Sequence, residues 1–176
     1  TYAGNIENIP VEHHVLVEDI CNVTKDDLGE YDYLVNFAAE SHVDNSIKDG
    51  KPFLKSNIEG TYNLLELARK NKKLKKFIQI STDEVYGDLD KLNIESSNES
   101  NLLYPSSYYS ATKAASDMLV YSCGHTFNLP YIITRTCNNF GDRQHDEKFI
   151  PTIIRSISSD ESIPVYGDGT QIREWI

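Results

Sequence analysis

Two short segments hold the residue types of a redox centre. Ser81-Thr82-Asp83-Glu84-Val85-Tyr86-Gly87 places hydroxyls beside two adjacent carboxylates at the end of an apolar run, and Tyr109-Ser110-Ala111-Thr112-Lys113 follows a short way downstream. On a helix, Tyr109 and Lys113 lie one turn apart on a shared face, so the ammonium can stabilise the phenolate. Of the neighbouring tyrosines, Tyr104 and Tyr108 have no Lys four residues on. Acids, a phenolic base and a cation brought to one place can run a redox step coupled to an elimination. Each half has a plain structural reading: adjacent acids serve turns at strand ends, and a Tyr-Lys spacing arises by chance. Their combination favours chemistry.

For these groups to meet, the chain must set them on one edge of a sheet. Short, β-branched runs at 14–18, 32–38, 76–82, 131–136 and 163–166 read as strands covered on both faces. Longer stretches of helical period lie at 52–71, 107–127 and 147–159. Strand and helix in alternation predict an α/β protein with a doubly wound parallel sheet. Ligands of such sheets bind beyond the carboxyl ends of the strands. Four segments bring small or polar residues to that edge: Ala38-Ala39-Glu40-Ser41, Thr82-Asp83-Glu84, Tyr109 to Lys113, and Cys137-Asn138-Asn139. The polar stretch from Asp88 to Ser107 reads as one long loop, either a binding loop or a surface insertion.

Composition narrows the partners. A net charge of -10 over 176 residues argues against nucleic acid, which needs a basic footprint. No apolar run approaches the roughly 18 residues of a membrane span. Cys21, Cys123 and Cys137 are far apart in the sequence and form no metal spacing with the five histidines. No metal site is therefore expected, and a reducing compartment, the cytoplasm, is favoured. The one dense basic run, Arg69 to Lys76, falls where the 52–71 helix should end and reads as a solvated helix terminus.

The motifs together resemble a known family. Ala38 to Asp44 (AAESHVD), Asn57 to Thr61 (NIEGT), Ser81 to Asp88 (STDEVYGD), Tyr109 to Lys113, Cys137 to Gly141 (CNNFG), Glu147 to Pro151 (EKFIP) and Tyr166 to Trp175 (YGDGTQIREW) resemble the extended short-chain dehydrogenases/reductases. Within them the chain is most similar to nucleotide-sugar 4,6-dehydratases, along essentially its whole length. Epimerases of that superfamily share the Tyr-Lys pair but lack the acid pair after Ser-Thr.

The resemblance implies a Rossmann-type sheet, bound NAD and a nucleotide-diphospho-glucose substrate, dTDP-glucose being the expected one although thymine and uracil are not distinguished. In the implied mechanism Tyr109 takes the 4-hydroxyl proton, Lys113 supports the phenolate, and Thr82 bonds the 4-keto oxygen. Glu84 then removes the carbon-5 proton while Asp83 protonates the departing 6-hydroxyl. The same matching assigns Thr1, Asp19, Ile20, Ala38, Ala39, Ser56 and Asn139, with Tyr109 and Lys113, to the cofactor. Ser41, Thr82, Asn138, Lys148, Phe149, Pro164, Tyr166 and Arg173 are assigned to the sugar nucleotide, Arg173 as a forked partner for the diphosphate. Ala38 and Ala39 could equally be packing residues, and Arg173 a surface cation. Asn45, where the family commonly has Arg, and the stretch Asp142 to Asp146 depart from the pattern and bear on substrate fit.

No glycine-rich dinucleotide turn precedes the first strand. The expectation is therefore an internal segment of a protein about twice as long: residues 1–145 as a partial dinucleotide-binding domain lacking its first strand-helix-strand unit, 146–176 as the beginning of a substrate-binding region. Such a segment alone should be unstable or inactive. The resemblance implies a homodimer at full length, with the helices at 52–71 and 107–127 as candidates for its interface, although their apolar faces could equally be buried on the sheet. Two rival readings stay open, a nucleotide-sugar epimerase or decarboxylase and a non-catalytic dinucleotide sensor. The first leaves Asp83-Glu84 unexplained, and the second leaves the intact Tyr-Lys pair without a task.

Overall fold

The computed structural model of the chain describes residues 4–92, 95–165, 167–170 and 172–176, with the side chains of Asp90 and Leu92 outside the description. The chain forms two compact units, one over His14–Thr136, the other combining the segment before His14 with Cys137–Ile176.

In the first unit, three strands, β1 (Tyr33–Asn36), β2 (Lys76–Thr82) and β3 (Tyr131–Thr136), form a parallel sheet in the order β1-β2-β3. Leu34 pairs with Phe77 and Phe77 with Tyr131, so the register runs straight across the sheet. Short helices α1 (Lys25–Leu28) and α2 (Val43–Lys48) flank β1, and the crossover to β2 runs through α3 (Lys51–Phe53), a π-helical stretch at Leu54–Gly60, and α4 (Thr61–Lys70). After β2 come a 3-10 turn, Asp83–Tyr86, then α5 (Leu89–Leu92) and the long α6 (Tyr108–Phe127). This is the Rossmann-like arrangement the alternating pattern predicts.

Both crossovers step the same way across the sheet, and right-handed connections then put both helices on one face. Burial agrees. Phe77, Gln79 and Ser81 of β2 are buried, while the alternate Ile78 and Ile80 are only half-covered. The core on the covered face joins Leu64, Leu65 and Ala68 of α4 to Phe77, Val120, Cys123 and Leu129. Phe77, fully buried, lies at its centre, and cutting it to Ala would cost about 3–5 kcal/mol. On the opposite face Tyr33, Val35, Phe37 and Ile132 are exposed. Strands apolar on both sides thus have, among the described residues, helices on one side.

Local chemistry sets the ends of α6. Ser107 caps it: its Oγ accepts from the Ser110 N–H, and its own N–H donates to Ser110 Oγ, both at 3.0 Å. Asn128, in the left-handed region at φ 55°, ends it. The predicted strand 76–82 and strand 131–136 match β2 and β3; 32–38 shortens to β1, and the helix at 107–127 matches α6.

Four expectations change. Residues 14–18 form no strand, because an extended run needs a neighbour to share a ladder and none among the described residues pairs with it. Helix 52–71 is continuous in direction but π-helical in its middle. Asp88 to Ser107 includes α5 rather than being loop throughout. Within 163–166, Ile163, Pro164 and Val165 form no strand, as a proline without an N–H allows, and Tyr166 lies outside the described residues. The basic run behaves as expected: Arg69 binds Glu66, Lys73 pairs with Glu30 at 2.5 Å and Lys75 with Asp32 at 2.9 Å.

The second unit contains a 3-10 turn at Ile6–Asn8 and α7 (Phe149–Ser158). Trp175 meets Phe149 with ring centres 6.0 Å apart and Phe140 at 6.5 Å, and its backbone bridges to Asn138.

Candidate active site

The carboxyl end of β2 delivers Thr82 straight into the acid turn. Thr82 caps that turn, its Oγ1 accepting from the Glu84 N–H at 3.3 Å and lying 3.2 Å from Asp83 Oδ1. Gly87, at φ 84°, ends it. Any other residue there would be strained, and a Cβ would stand 2.1 Å from the Tyr104 carbonyl oxygen. Beneath the acids, Val85 and Tyr86 are buried against Ala114 of α6. The acid turn is thereby fastened to the helix that carries Tyr109 and Lys113.

Tyr109 stands one residue into α6, edge-on to buried Phe53 at 6.4 Å between ring centres. Burial, then the negative charge of Glu84 and, more weakly, of Asp83, push its phenol up to about 12, against a hydrogen bond from Thr82 that pulls down. Lys113 is buried and donates to the Ile80 carbonyl at 2.5 Å. Loss of hydration lowers its pKa to about 8, while the Asp117 carboxylate works to keep it charged. Thr82, Asp83, Glu84 and Tyr109 therefore interact directly, and Lys113 reaches the same strand end from the helix turn below Tyr109.

The π-helical stretch gathers the remaining residues of the first unit. Asn57, 1% exposed, accepts from the Glu40 N–H at 2.9 Å, donates to the Glu40 carbonyl at 3.1 Å, and donates to Thr112 Oγ1 at 3.0 Å. Asn36 accepts from the Ala38 N–H at 3.1 Å while donating to Gln79 and Thr61. Two buried amides thus hold Ala38, Ala39 and Ser41 in a fixed loop beside α6. Lys55, next to Ser56, pairs with Asp19 at 2.6 Å. That bond, with the Cys21 N–H, holds the Asp19 carboxyl down at about 2. Ile20 packs against the core and over Gly60, where an added Cβ would come within 2.4 Å of its Cδ1. A widened helical turn exposes backbone and offsets side chains, and such turns often mark functional sites.

A second layer was invisible in the motifs. Asp117, with no exposed surface, accepts from Arg135 Nε at 2.9 Å, and Arg135 Nη1 donates to the Tyr86 hydroxyl at 2.9 Å. The Ser81 hydroxyl also faces Asp117 and lowers its pKa without reaching good hydrogen-bond geometry. Burial raises the Asp117 carboxyl, and Arg135, Ser81 and Lys113 oppose that rise. An acid four residues beyond Lys113 on an otherwise small, apolar helix face was the available signal. For Asn57 it was an amide among the apolar residues of a buried helix face.

In the second unit, Asn138 donates through Nδ2 to the Glu174 carbonyl at 3.1 Å, Asn139 donates to Cys137, and Lys148 stands at the N-terminus of α7, 3.4 Å from Glu147. Phe149 is exposed on its outer side and stacks on Trp175. Pro164 and Arg173 are exposed, the latter donating to the Ile172 carbonyl. Thr1 and Tyr166 lie outside the described residues. Among the described residues no group of three His, Cys, Asp or Glu side chains can hold a metal ion.

The chain is similar to known proteins along its whole length. The chain is 48% identical to the low-salt glycan biosynthesis protein Agl12 of Haloferax volcanii, covering all of this chain and 58% of that protein. It is 44% identical to a dTDP-glucose 4,6-dehydratase of Haemophilus influenzae, covering all of this chain and 57% of the relative. The chain thus spans a little over half the length of the curated relatives it matches. Among solved structures, the dTDP-glucose 4,6-dehydratase of Bacillus anthracis in complex with NAD superposes with a TM-score of 0.84 at 37% identity, over all of this chain and 56% of that one. The UDP-glucuronic acid 4-epimerase of Bacillus cereus superposes almost as well, at 0.83 and 33% identity over 90% of this chain and 49% of that one, so the fold alone does not separate the two chemistries. The model of the NAD dependent epimerase/dehydratase family matches residues 7–176, and the chain belongs to that family.

Proposed function

We propose that the protein is an NAD-dependent nucleotide-sugar 4,6-dehydratase acting on dTDP-glucose. The observation that carries this reading is the acid pair Asp83-Glu84 at the strand end beside Thr82 and Tyr109. An epimerase needs the Tyr-Lys pair and a means of returning hydride to the other face; it has no task for two extra carboxylates.

The residues of the first unit fit a dinucleotide. Asp19 is ionised at neutral pH and can accept from hydroxyl or amino groups, with Ile20 as an apolar neighbour. Ala38, Ala39 and Ser56 offer little bulk along the fixed loop and the π turn. Lys113 supplies a buried cation. NAD held by these residues would supply a hydride acceptor for carbon 4 of the sugar and a hydride donor for carbon 6.

The chain's own groups handle the protons. Tyr109 accepts the 4-hydroxyl proton, a demanding task for a phenol at about 12, and one that a charged Lys113 one helical turn away eases. Thr82 donates to the oxygen at carbon 4. Glu84 removes the carbon-5 proton, acidified by the adjacent ketone, and Asp83 gives a proton to the 6-hydroxyl, which leaves as water. Protonation of carbon 5 by Glu84 accompanies hydride return, giving the 4-keto-6-deoxy sugar. The proton gained by Tyr109 equals the one given up by Asp83, and exchange through solvent resets both groups, so the sum is loss of one water with the cofactor regenerated.

By the same reading Thr1 and Asn139 contact the cofactor, and Ser41, Asn138, Lys148, Phe149, Pro164, Tyr166 and Arg173 contact the nucleotide sugar. A dinucleotide-binding region over 1–145 with a substrate region from 146, a homodimer at full length and a cytoplasmic location belong to the same proposal.

The test is product analysis of dTDP-glucose incubated in heavy water with the protein at its full encoded length. The expected product has lost one water and carries deuterium at carbon 5. A product inverted at carbon 4 that keeps all its oxygens would establish an epimerase instead, and unchanged substrate would point to a sensor.

A further inference from the structure

Two buried side chains, Asp117 and Tyr86, and the partly buried Arg135 form a bridge between the two halves of the site. Asp117 lies one helical turn beyond Lys113 on α6, Arg135 comes from β3, and Tyr86 closes the turn that begins with Asp83 and Glu84. Asp117 is fully buried, and its Arg135 partner is 15% exposed. The guanidinium spans the gap, with one nitrogen on the carboxylate and another on the Tyr86 hydroxyl, its carbon 5.1 Å from the Tyr86 ring centre.

Stability does not account for this bridge. Taking two charges out of water costs several kcal/mol for each ion, and well-packed apolar residues in place of a buried pair are often neutral or stabilising. What a forked, directional pair supplies and an apolar contact does not is register: Arg135 can meet Asp117 and Tyr86 together only in one relative placement of α6, β3 and the acid turn. The apolar contact of Val85 and Tyr86 with Ala114 holds the turn down but is non-directional.

We propose that Arg135 and Tyr86, anchored by Asp117, are positioning residues that set Asp83 and Glu84 against the substrate carbons aligned by Tyr109 and Lys113. Their role is in the elimination step and not in the hydride step. Asp117 stands between two cations, Lys113 on the hydride side and Arg135 on the elimination side, so one carboxylate references both sets of groups. This rests on the dehydratase reading above.

The test is Tyr86→Phe in the protein at its full encoded length. The substitution removes one hydroxyl and keeps the ring. Stopped-flow absorbance of reduced nicotinamide follows carbon-4 oxidation in a single turnover, and exchange of carbon-5 hydrogen with heavy water follows the Glu84 step. Expected are an oxidation burst at the wild-type rate, a KM within about twofold, and a carbon-5 exchange rate and kcat each reduced roughly tenfold, as loss of one charge-assisted hydrogen bond allows. Arg135→Lys, which keeps the cation opposite Asp117 but not the fork, should reproduce the split.

Wild-type rates in both variants would overturn the proposal. So would equal slowing of oxidation and exchange alongside a lowered unfolding temperature, the mark of a merely structural pair. If the wild-type protein itself leaves dTDP-glucose unchanged, the dehydratase reading fails and the proposal with it, an outcome distinct from an active wild type with indifferent variants.

Discussion

Replacing Lys113 by Met should make the protein inactive yet at least as stable at neutral pH. Lys113 is buried and its pKa falls from the ordinary 10.5 to about 8. At about 1.4 kcal/mol per pH unit, holding that ammonium folded costs about 3 kcal/mol wherever both states carry the proton. Met fills the same volume without the charge but leaves the Ile80 carbonyl, which now accepts from Nζ, without its partner, at a cost of about 1–3 kcal/mol. The variant should therefore range from equal stability to about 2 kcal/mol more stable at pH 7. The pH dependence is the sharper signature. Between pH 8 and 10.5 the folded wild type has released the Lys113 proton while the unfolded chain still binds it, so wild-type stability rises with pH across that window. Below pH 8 the cost is present in full; above 10.5 it is gone. Urea denaturation of nucleotide-free wild-type and Lys113→Met proteins at steps from pH 7 to 10.5 reads the difference directly, other titrating groups cancelling between them. Wild type should gain about 3 kcal/mol on the variant over that range. A difference that stays flat, or that moves toward the variant as pH rises, would refute the assignment of a desolvated ammonium at this position.

Asn57→Ala should destabilise by about 2–4 kcal/mol, since it removes the partner of the part-buried Glu40 N–H and carbonyl and one of the two bonds of the Thr112 hydroxyl, which keeps the Tyr109 carbonyl; urea midpoints check this, and a loss below about 1 kcal/mol would contradict it. Gly87→Ala forces a Cβ toward the Tyr104 carbonyl at a positive φ, so kcat should fall well before the fold is lost, read as activity and melting temperature in parallel. Glu84→Gln should leave the single-turnover oxidation burst while lowering overall turnover by about 100-fold or more, the usual worth of a general base. The 176 residues expressed alone should bind a hydrophobic dye through the sheet face of Tyr33, Val35, Phe37 and Ile132, and Val35→Thr with Ile132→Thr should weaken that signal.

Much of this architecture is legible in the residues because it follows from periodicity. Lys76–Thr82 and Tyr131–Thr136 emerge with their bounds intact since each is a β-branched run with a clear stop, and α6 since Ser107 and Asn128 cap it chemically. The acid turn and the Tyr-Lys pair are legible only in combination: each alone has a plain structural reading, and it is their occurrence together that favours chemistry. Long-range pairing is what escapes. Residues 14–18 have strand composition, but composition does not supply a neighbour. The π turn at Leu54–Gly60 depends on what Asn57 and Gly60 meet, namely Glu40, Thr112 and Ile20, all distant in the sequence. Arg135 looks like an ordinary strand residue until Asp117 and Tyr86 stand on either side of it.

The central claim, that one set of groups runs a hydride step and a second set removes water in between, meets its most direct test in dTDP-glucose bearing deuterium at carbon 4. The account predicts that the label leaves carbon 4 and arrives at carbon 6 of a 4-keto-6-deoxy product, carried across within a single turnover. Label recovered at carbon 4 of an epimerised sugar, or lost to solvent, would contradict it.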